Sequence, residues 1–166
     1  MAAKTWYQDC SKTINSRFKN PGLFIRLLAA TSPRKSVIAN WRLAELMYNQ
    51  IISGTLPDLS RALPAHRKNI LRAMADVPLS GTKVSAFAEN LSGNLMSITI
   101  DIWIERGYPD KTHAEIENRI RRGSKRLKIK PAEYQAIVWT RVRLKYGKKP
   151  VSFNSVPHLW QLEFKF

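Results

Sequence analysis

The stretch Val77–Arg106, VPLSGTKVSAFAENLSGNLMSITIDIWIER, decides how this chain is read. A short hydrophobic segment ends at Pro78, and Gly81 supplies a residue free to take φ > 0. Thr82-Lys83-Val84 then open a new apolar helix, so the outline is two helices joined by a tight hairpin. Backbone N–H groups at such a hairpin, and in the first turn of the helix after it, lack partners along the chain. Leu79, Ser80, Gly81 and Thr82 are therefore expected to hold a phosphate through the main chain.

The helix that follows, with Val84, Phe87, Ala88 and Leu91 on its apolar side, breaks at Ser92-Gly93-Asn94. The β-branched run Ile98-Thr99-Ile100 then delivers Asp101 to the mouth of a second short helix, Ile102-Trp103-Ile104. One lysine, Lys83, and one carboxylate, Asp101, thus both stand at helix N-termini with a single helix and a loop between them. Two groups placed in this way can face one cleft.

Working outward, the 166 residues fit one domain, 1–166, with an extended C-terminal tail over 151–166. No apolar run approaches the ~20 residues that a membrane helix requires. The N-terminus MAAKTWYQDC has no apolar signal core, so a cytoplasmic protein is expected, nucleoid-associated or virus-encoded. The lone Cys10 excludes an internal disulfide, no Cys/His set has zinc spacing, and neither a metal nor a cofactor is expected. Charge is the strongest compositional signal: 28 Lys and Arg against 12 Asp and Glu leave a formal net charge of +16. So basic a chain points to nucleic acid, because each phosphate it neutralises releases counterions. A ribosomal or simply a soluble basic protein is the alternative.

The segment Pro78-Leu79-Ser80-Gly81-Thr82-Lys83-Val84, followed by Ile98-Thr99-Ile100-Asp101 and Trp103, resembles the helix-hairpin-helix DNA glycosylase superfamily, most closely its 8-oxoguanine glycosylase branch. The order and separation of the two segments carry most of that resemblance. It implies an all-α, compact domain containing a helix-hairpin-helix, with Lys83 as nucleophile and Asp101 as the essential carboxylate. The hairpin of that family usually has two glycines, and here the first is Leu79. Gln135-Ala136-Ile137-Val138-Trp139 is similar to the late helix that closes the active-site side in 8-oxoguanine glycosylases. Leu27 to Pro33 looks like the place where these enzymes turn a helix toward DNA. Where the family often presents Gln or Asn, this chain has Ala30-Thr31-Ser32, and no role is carried across.

Along the rest of the chain, residues 4–18 read as an amphipathic helix with Trp6, Ile14 and Phe18 inward. Asn20 caps the next helix with Pro21 at its first position, and Leu23 to Ala30 are apolar nearly all round and so central. Thr31-Ser32-Pro33 is expected to close that helix and cap another, in which Val37, Trp41, Ala44, Tyr48 and Ile51 keep a helical period up to Ser53-Gly54. A loop follows over 54–64, and then a helix from His66 to Ala75 with Ile70, Leu71 and Met74 buried. Its His66, Arg67, Lys68 and Arg72 fall on other faces, as solvated charges or as phosphate contacts.

Thr112 and Glu115 have capping-box spacing ahead of a helix carrying Arg119, Arg121, Arg122, Lys125, Arg126 and Lys128. A run so dense is usually solvated and repels itself unless polyanion is near, and Arg121, Arg122 and Lys125 are expected to flank a DNA groove. Lys130-Pro131 starts the last long helix, with Tyr134, Ile137, Val138, Arg141 and Val142 on one face. The tail HLWQLEFKF alternates apolar and polar residues, either packing on its own domain or binding a partner.

These residues define an expected chemistry. Cleaving an N-glycosidic bond develops positive charge on the sugar, which Asp101 would stabilise, and a lysine in an enclosed cationic site more readily attacks C1′ as a free amine. The nucleotide must leave the duplex to be reached, and Phe87, Trp103, Tyr134 and Trp139 are candidates to stack on it, each with ordinary core packing as the alternative. A monomer acting on double-stranded DNA and excising a modified base, an oxidised purine first, is the expected function. A basic DNA-binding or architectural module without catalysis, and an enzyme acting on hypermodified bases of phage-type DNA, are the other readings.

Overall fold

The computed structural model describes residues 3–151 and 153. Over these residues the chain is helical, with α1 (Trp6–Arg17), α2 (Pro21–Ala30), α3 (Val37–Ile52), α4 (Pro64–Met74), α5 (Thr82–Leu91), α6 (Ile102–Gly107), α7 (His113–Arg126) and α8 (Pro131–Lys145). Short 3-10 turns at Ala3–Thr5 and Leu59–Arg61 complete the regular structure, and no strand occurs among the described residues. No helix among them is long and apolar enough to cross a membrane.

Local chemistry sets most of the helix ends. Asn20 Oδ1 accepts the Leu23 N–H at 3.0 Å, with Pro21 at the first position where its missing N–H costs nothing. Thr112 and Glu115 form the reciprocal capping box of α7, the Glu115 carboxylate accepting the Thr112 N–H at 2.9 Å. Pro131 opens α8 in the same way as Pro21 opens α2. The start of α3 differs from the sequence expectation. Its cap is Ser36, whose Oγ accepts the Ala39 N–H at 3.2 Å, while Thr31 ends α2 and donates to Asn40 Oδ1 at 2.7 Å. The segment between them, with Arg34 at φ +59°, forms a turn of its own.

Helix α2 is the hub of the larger core. Leu23, Phe24, Ile25, Leu27, Leu28, Ala29 and Ala30 are all buried, so the helix cannot face solvent and is wrapped by α1, α3, α4 and α5. Phe24 stacks on Phe18 at 3.6 Å between ring centroids and meets Trp41 edge-on at 4.8 Å. A second, smaller cluster joins Ile98, Ile104, Ile116 and Ile120. Helix α8 serves both, with Ala132 and Ala136 in the first cluster and Tyr134, Val138 and Trp139 against the second.

Two sequence expectations about faces are corrected. On α4 the buried stripe is His66, Asn69, Ile70 and Ala73, while Leu71 and Met74 remain 43% and 36% exposed. The polar members can be buried because each finds a non-local partner: His66 Nε2 lies 2.8 Å from the Pro33 carbonyl oxygen, and Asn69 bonds Ser80. Tyr134 does not face a ligand pocket. Its ring covers Gly123 of α7, where an added Cβ would come within 2.3 Å of Tyr134 Cζ. Gly123→Ala is therefore expected to destabilise the protein by about 1–3 kcal/mol through overpacking. The loss should shrink in a Tyr134→Leu background, and equal changes in Tm in the two backgrounds would refute the contact.

The expected tail lies almost wholly outside the described residues. What is described packs inward: Phe153 is buried against Trp6 and Trp41, and Trp6 Nε1–H donates to the Val151 carbonyl at 3.3 Å.

Candidate active site

Lys83 stands in the first turn of α5, and the turn before it is tied down at several points. Asn69, buried on α4, donates from Nδ2 to the Ser80 carbonyl at 2.9 Å and accepts the Ser80 N–H on Oδ1 at 2.7 Å. Arg72 Nε–H donates to the Pro78 carbonyl, Arg26 pairs with Asp76 at 2.8 Å, and Ser85 Oγ donates to the Leu79 carbonyl at 3.0 Å. Gly81 has φ +101°, which a side chain would strain, and as N-cap it offers no side-chain acceptor to the first-turn N–H groups. The main-chain donors expected over 79–82 are thus reduced by one, because the Ser80 N–H is already taken.

Removing Asn69 leaves two backbone groups of Ser80 without partners. Asn69→Ala should cost about 2 kcal/mol, or roughly 4–8 °C in Tm for a chain of this size. Faster hydrogen exchange at the Ser80 amide would accompany it. An unchanged exchange rate would mean that Asn69 does not hold the turn.

A second buried asparagine organises the approach to Asp101. Asn90 Nδ2 donates to the carbonyls of Asn94 and Ser97 at 2.9 and 2.8 Å, and its Oδ1 accepts the Thr99 hydroxyl at 2.8 Å. The loop it folds is locked to α8, since the Ala132 N–H donates to the Leu95 carbonyl at 3.0 Å. Asp101 emerges as the N-cap of α6. Its Oδ1 accepts the Trp103 and Ile104 N–H groups at 3.1 and 3.0 Å, and its Oδ2 accepts Trp139 Nε1–H at 3.1 Å.

Burial raises the Asp101 pKa above its ordinary 3.8, against the opposing pull of the Ile104 N–H, the Lys83 charge and the Trp139 bond. Folded Asp101 therefore holds its proton more tightly than the unfolded chain does. Stability from this group grows as pH falls through the raised value toward 3.8 and is lost as pH rises through that window. The Tm difference between wild type and Asp101→Asn should shift in favour of wild type on acidification across that range. A difference flat in pH would show that the carboxyl is not desolvated.

Lys83 and Asp101 line one cavity of about 440 Å³ at the seam between the two clusters. Its aromatic wall comprises Trp6, Tyr7, Phe87, Trp103, Trp139 and Phe153. Polar groups are supplied by Asn40, Thr99 and Gln135, and further cations by Arg34, Lys35 and Arg143. Tyr7 donates its hydroxyl proton to Gln135 Oε1 at 2.9 Å, and burial pushes its pKa up. Arg143 lies over both Trp103 and Trp139, at 4.9 and 4.7 Å from the ring centroids, and Arg106 covers Trp103 at 4.6 Å. Among the described residues no three His, Cys, Asp or Glu side chains are grouped to hold a metal ion.

Of the side chains expected to receive a base, Phe87, Trp103 and Trp139 border this cavity and Tyr134 does not. Phe87 is only 8% exposed and is as much core as wall. Gly81, Thr82, Arg67 and Lys68 are exposed, while Leu79 and Ser80 are half-buried. Arg121, Arg122 and Lys125 are exposed on α7 around a shallow depression that also includes Asn118, and Arg121 is engaged with Glu117 at 2.7 Å. Sequence reasoning missed Arg34, Lys35, Arg143 and Tyr7, while Gln135 lies in the late helix it had set at the active-site side. Arg143 lay one helical turn beyond Trp139, and that spacing was the available signal.

The geometry defines a helical protein with an amine and a carboxylate facing one aromatic-walled pocket. The chain belongs to a family of unknown function, DUF7178, whose model matches residues 1–146. No curated protein and no solved structure matches it.

Proposed function

We propose that the protein is a DNA glycosylase with AP-lyase activity that excises a modified base, an oxidised purine first, from double-stranded DNA. The observation that carries this reading is the convergence of Lys83 and Asp101 on one cavity whose volume suits a small organic ligand such as a nucleoside. In it the α4–turn–α5 unit is the helix-hairpin-helix, and its exposed Gly81-Thr82 edge meets phosphate. The protein acts as a monomer in the cytoplasm.

The chemistry uses this chain's own groups. The Lys83 amine attacks C1′ as the C1′–N bond breaks, and the base leaves with the bonding electrons and takes up a proton. Asp101 stabilises the cationic sugar and accepts the proton shed by the attacking nitrogen, a role for which its raised pKa suits it. Ring opening gives a Schiff base on Lys83, and β-elimination then breaks the C3′–O bond. Trp139 holds Asp101 in place, and the aromatic wall receives the extruded base.

A panel of duplexes carrying single lesions tests this reading, with release of free base and strand nicking as readouts. Turnover of at least one lesion is expected, and no release from any duplex would refute it. The exposed cations of α7 support a second reading, a DNA-binding module without catalysis. That reading requires salt-dependent duplex binding unchanged by Asp101→Asn, with no product from any substrate.

A further inference from the structure

The cavity is electrically unbalanced. Beside the Lys83–Asp101 pair, Arg34, Lys35 and Arg143 line it, and no other acidic side chain does. Elsewhere acidic side chains pair with cations, as in Arg17–Glu45, Arg26–Asp76, Lys111–Glu115 and Arg121–Glu117. None of these three cations has such a salt bridge among the described residues. Arg143 and Lys35 are half-buried and Arg34 is exposed at the mouth, so a ligand that brings negative charge meets cations that no acidic side chain already occupies.

Two of these elements are also held in place before any ligand arrives. Arg143 is set against the indoles of Trp103 and Trp139, and its Nη2 donates to the Lys149 carbonyl at 3.2 Å. Its Nε–H is buried without an acceptor. The Arg34–Lys35 turn is pinned from below by the 2.8 Å contact between His66 Nε2 and the Pro33 carbonyl. A guanidinium so oriented loses little freedom when it meets an oxyanion, and a nucleotide joins such an oxyanion to a flat base that suits the aromatic wall.

We infer that this cavity is a nucleotide site in its own right, able to take a free nucleoside monophosphate without a duplex, with the phosphate on Arg143 and the Arg34–Lys35 turn and the base against the aromatic wall. The inference shares its cavity with the glycosylase reading but stands on the charge count and not on the Lys83–Asp101 chemistry. The two therefore fail separately.

Trp6, Trp103 and Trp139 border the cavity, so the full-length protein reports occupancy by its own fluorescence. It is titrated with a deoxynucleoside 5′-monophosphate, the matching nucleoside and inorganic phosphate. Saturable binding of the monophosphate is expected, at least about tenfold tighter than either fragment, since a phosphate on paired charged donors is worth more than one such factor. Arg143→Gln should weaken it about tenfold. The Arg34→Gln/Lys35→Gln double variant, which alters an exposed turn and leaves the core intact, should do the same while nucleoside binding stays unchanged.

A trinucleotide carrying phosphates on both sides separates the two sources of this chemistry. Tighter binding of it assigns the site to a DNA strand, and tighter binding of the monophosphate assigns it to the free pool. Equal affinity for nucleoside and monophosphate, no saturable monophosphate signal, or binding untouched by both variants overturns the inference. Base release from a lesion duplex without monophosphate binding would overturn it and leave the glycosylase reading standing. Monophosphate binding without base release would do the reverse.

Discussion

Asp101→Asn is expected to lower base release by roughly 10²–10⁴-fold while the fold stays intact. Asparagine is as good an N-cap as aspartate, so its Oδ1 keeps the Trp103 and Ile104 N–H bonds that start α6. What disappears is the negative charge facing the sugar, together with the acceptor for Trp139 Nε1–H, which would meet an amide NH2 instead. Single-turnover rates measured beside circular dichroism separate the two effects, and a fall below tenfold with native structure would remove Asp101 from the chemistry. The pH profile gives a second reading of the same group. Asp101 acts as the carboxylate, and burial raises its pKa above 3.8, so the acid limb of kcat/KM should lie above the range of an ordinary aspartate. That limb should vanish in Asp101→Asn.

Lys83→Gln has the other large expected effect: loss of the covalent intermediate and of strand nicking, with base release reduced about a thousandfold or more. The replaced side chain is half-exposed at the cavity and makes no salt bridge among the described residues, so Tm should move little. Full base release with loss of nicking alone would restrict Lys83 to the elimination step and make water the nucleophile. Full activity in both steps would exclude Lys83 altogether.

The helix ends were legible in the sequence wherever a local rule applied. Asn20-Pro21, Thr112 with Glu115, and Lys130-Pro131 each mark a start through bonds that span three residues or fewer. The start of α3 was misplaced because Thr31 and Ser32 look like caps but are used otherwise, Thr31 on Asn40 and Ser32 back into α2, leaving Ser36 to do the capping. The apolar pattern of α4 misled for a different reason. Leu71 and Met74 fit a helical stripe, yet the face turned inward carries His66 and Asn69, whose partners Pro33 and Ser80 are set by tertiary structure.

The site was legible as a pair and opaque as a pocket. Lys83 and Asp101 could be placed at helix starts from residue types alone, and both border the same cavity. Asn69 and Asn90, which hold the two approaches, read in the sequence as ordinary polar residues, because only the folded chain brings their backbone partners to them. Arg143 was hidden by composition: among 28 Lys and Arg, its position over two indoles has no signature beyond its spacing from Trp139.

The most direct measurement is borohydride trapping of the wild-type protein on a lesion-bearing duplex, followed by digestion and mass spectrometry of the adduct. The account predicts a reduced sugar carried on the peptide that contains Lys83. An adduct mapped to any other amine, or none on any duplex in the panel, would contradict it.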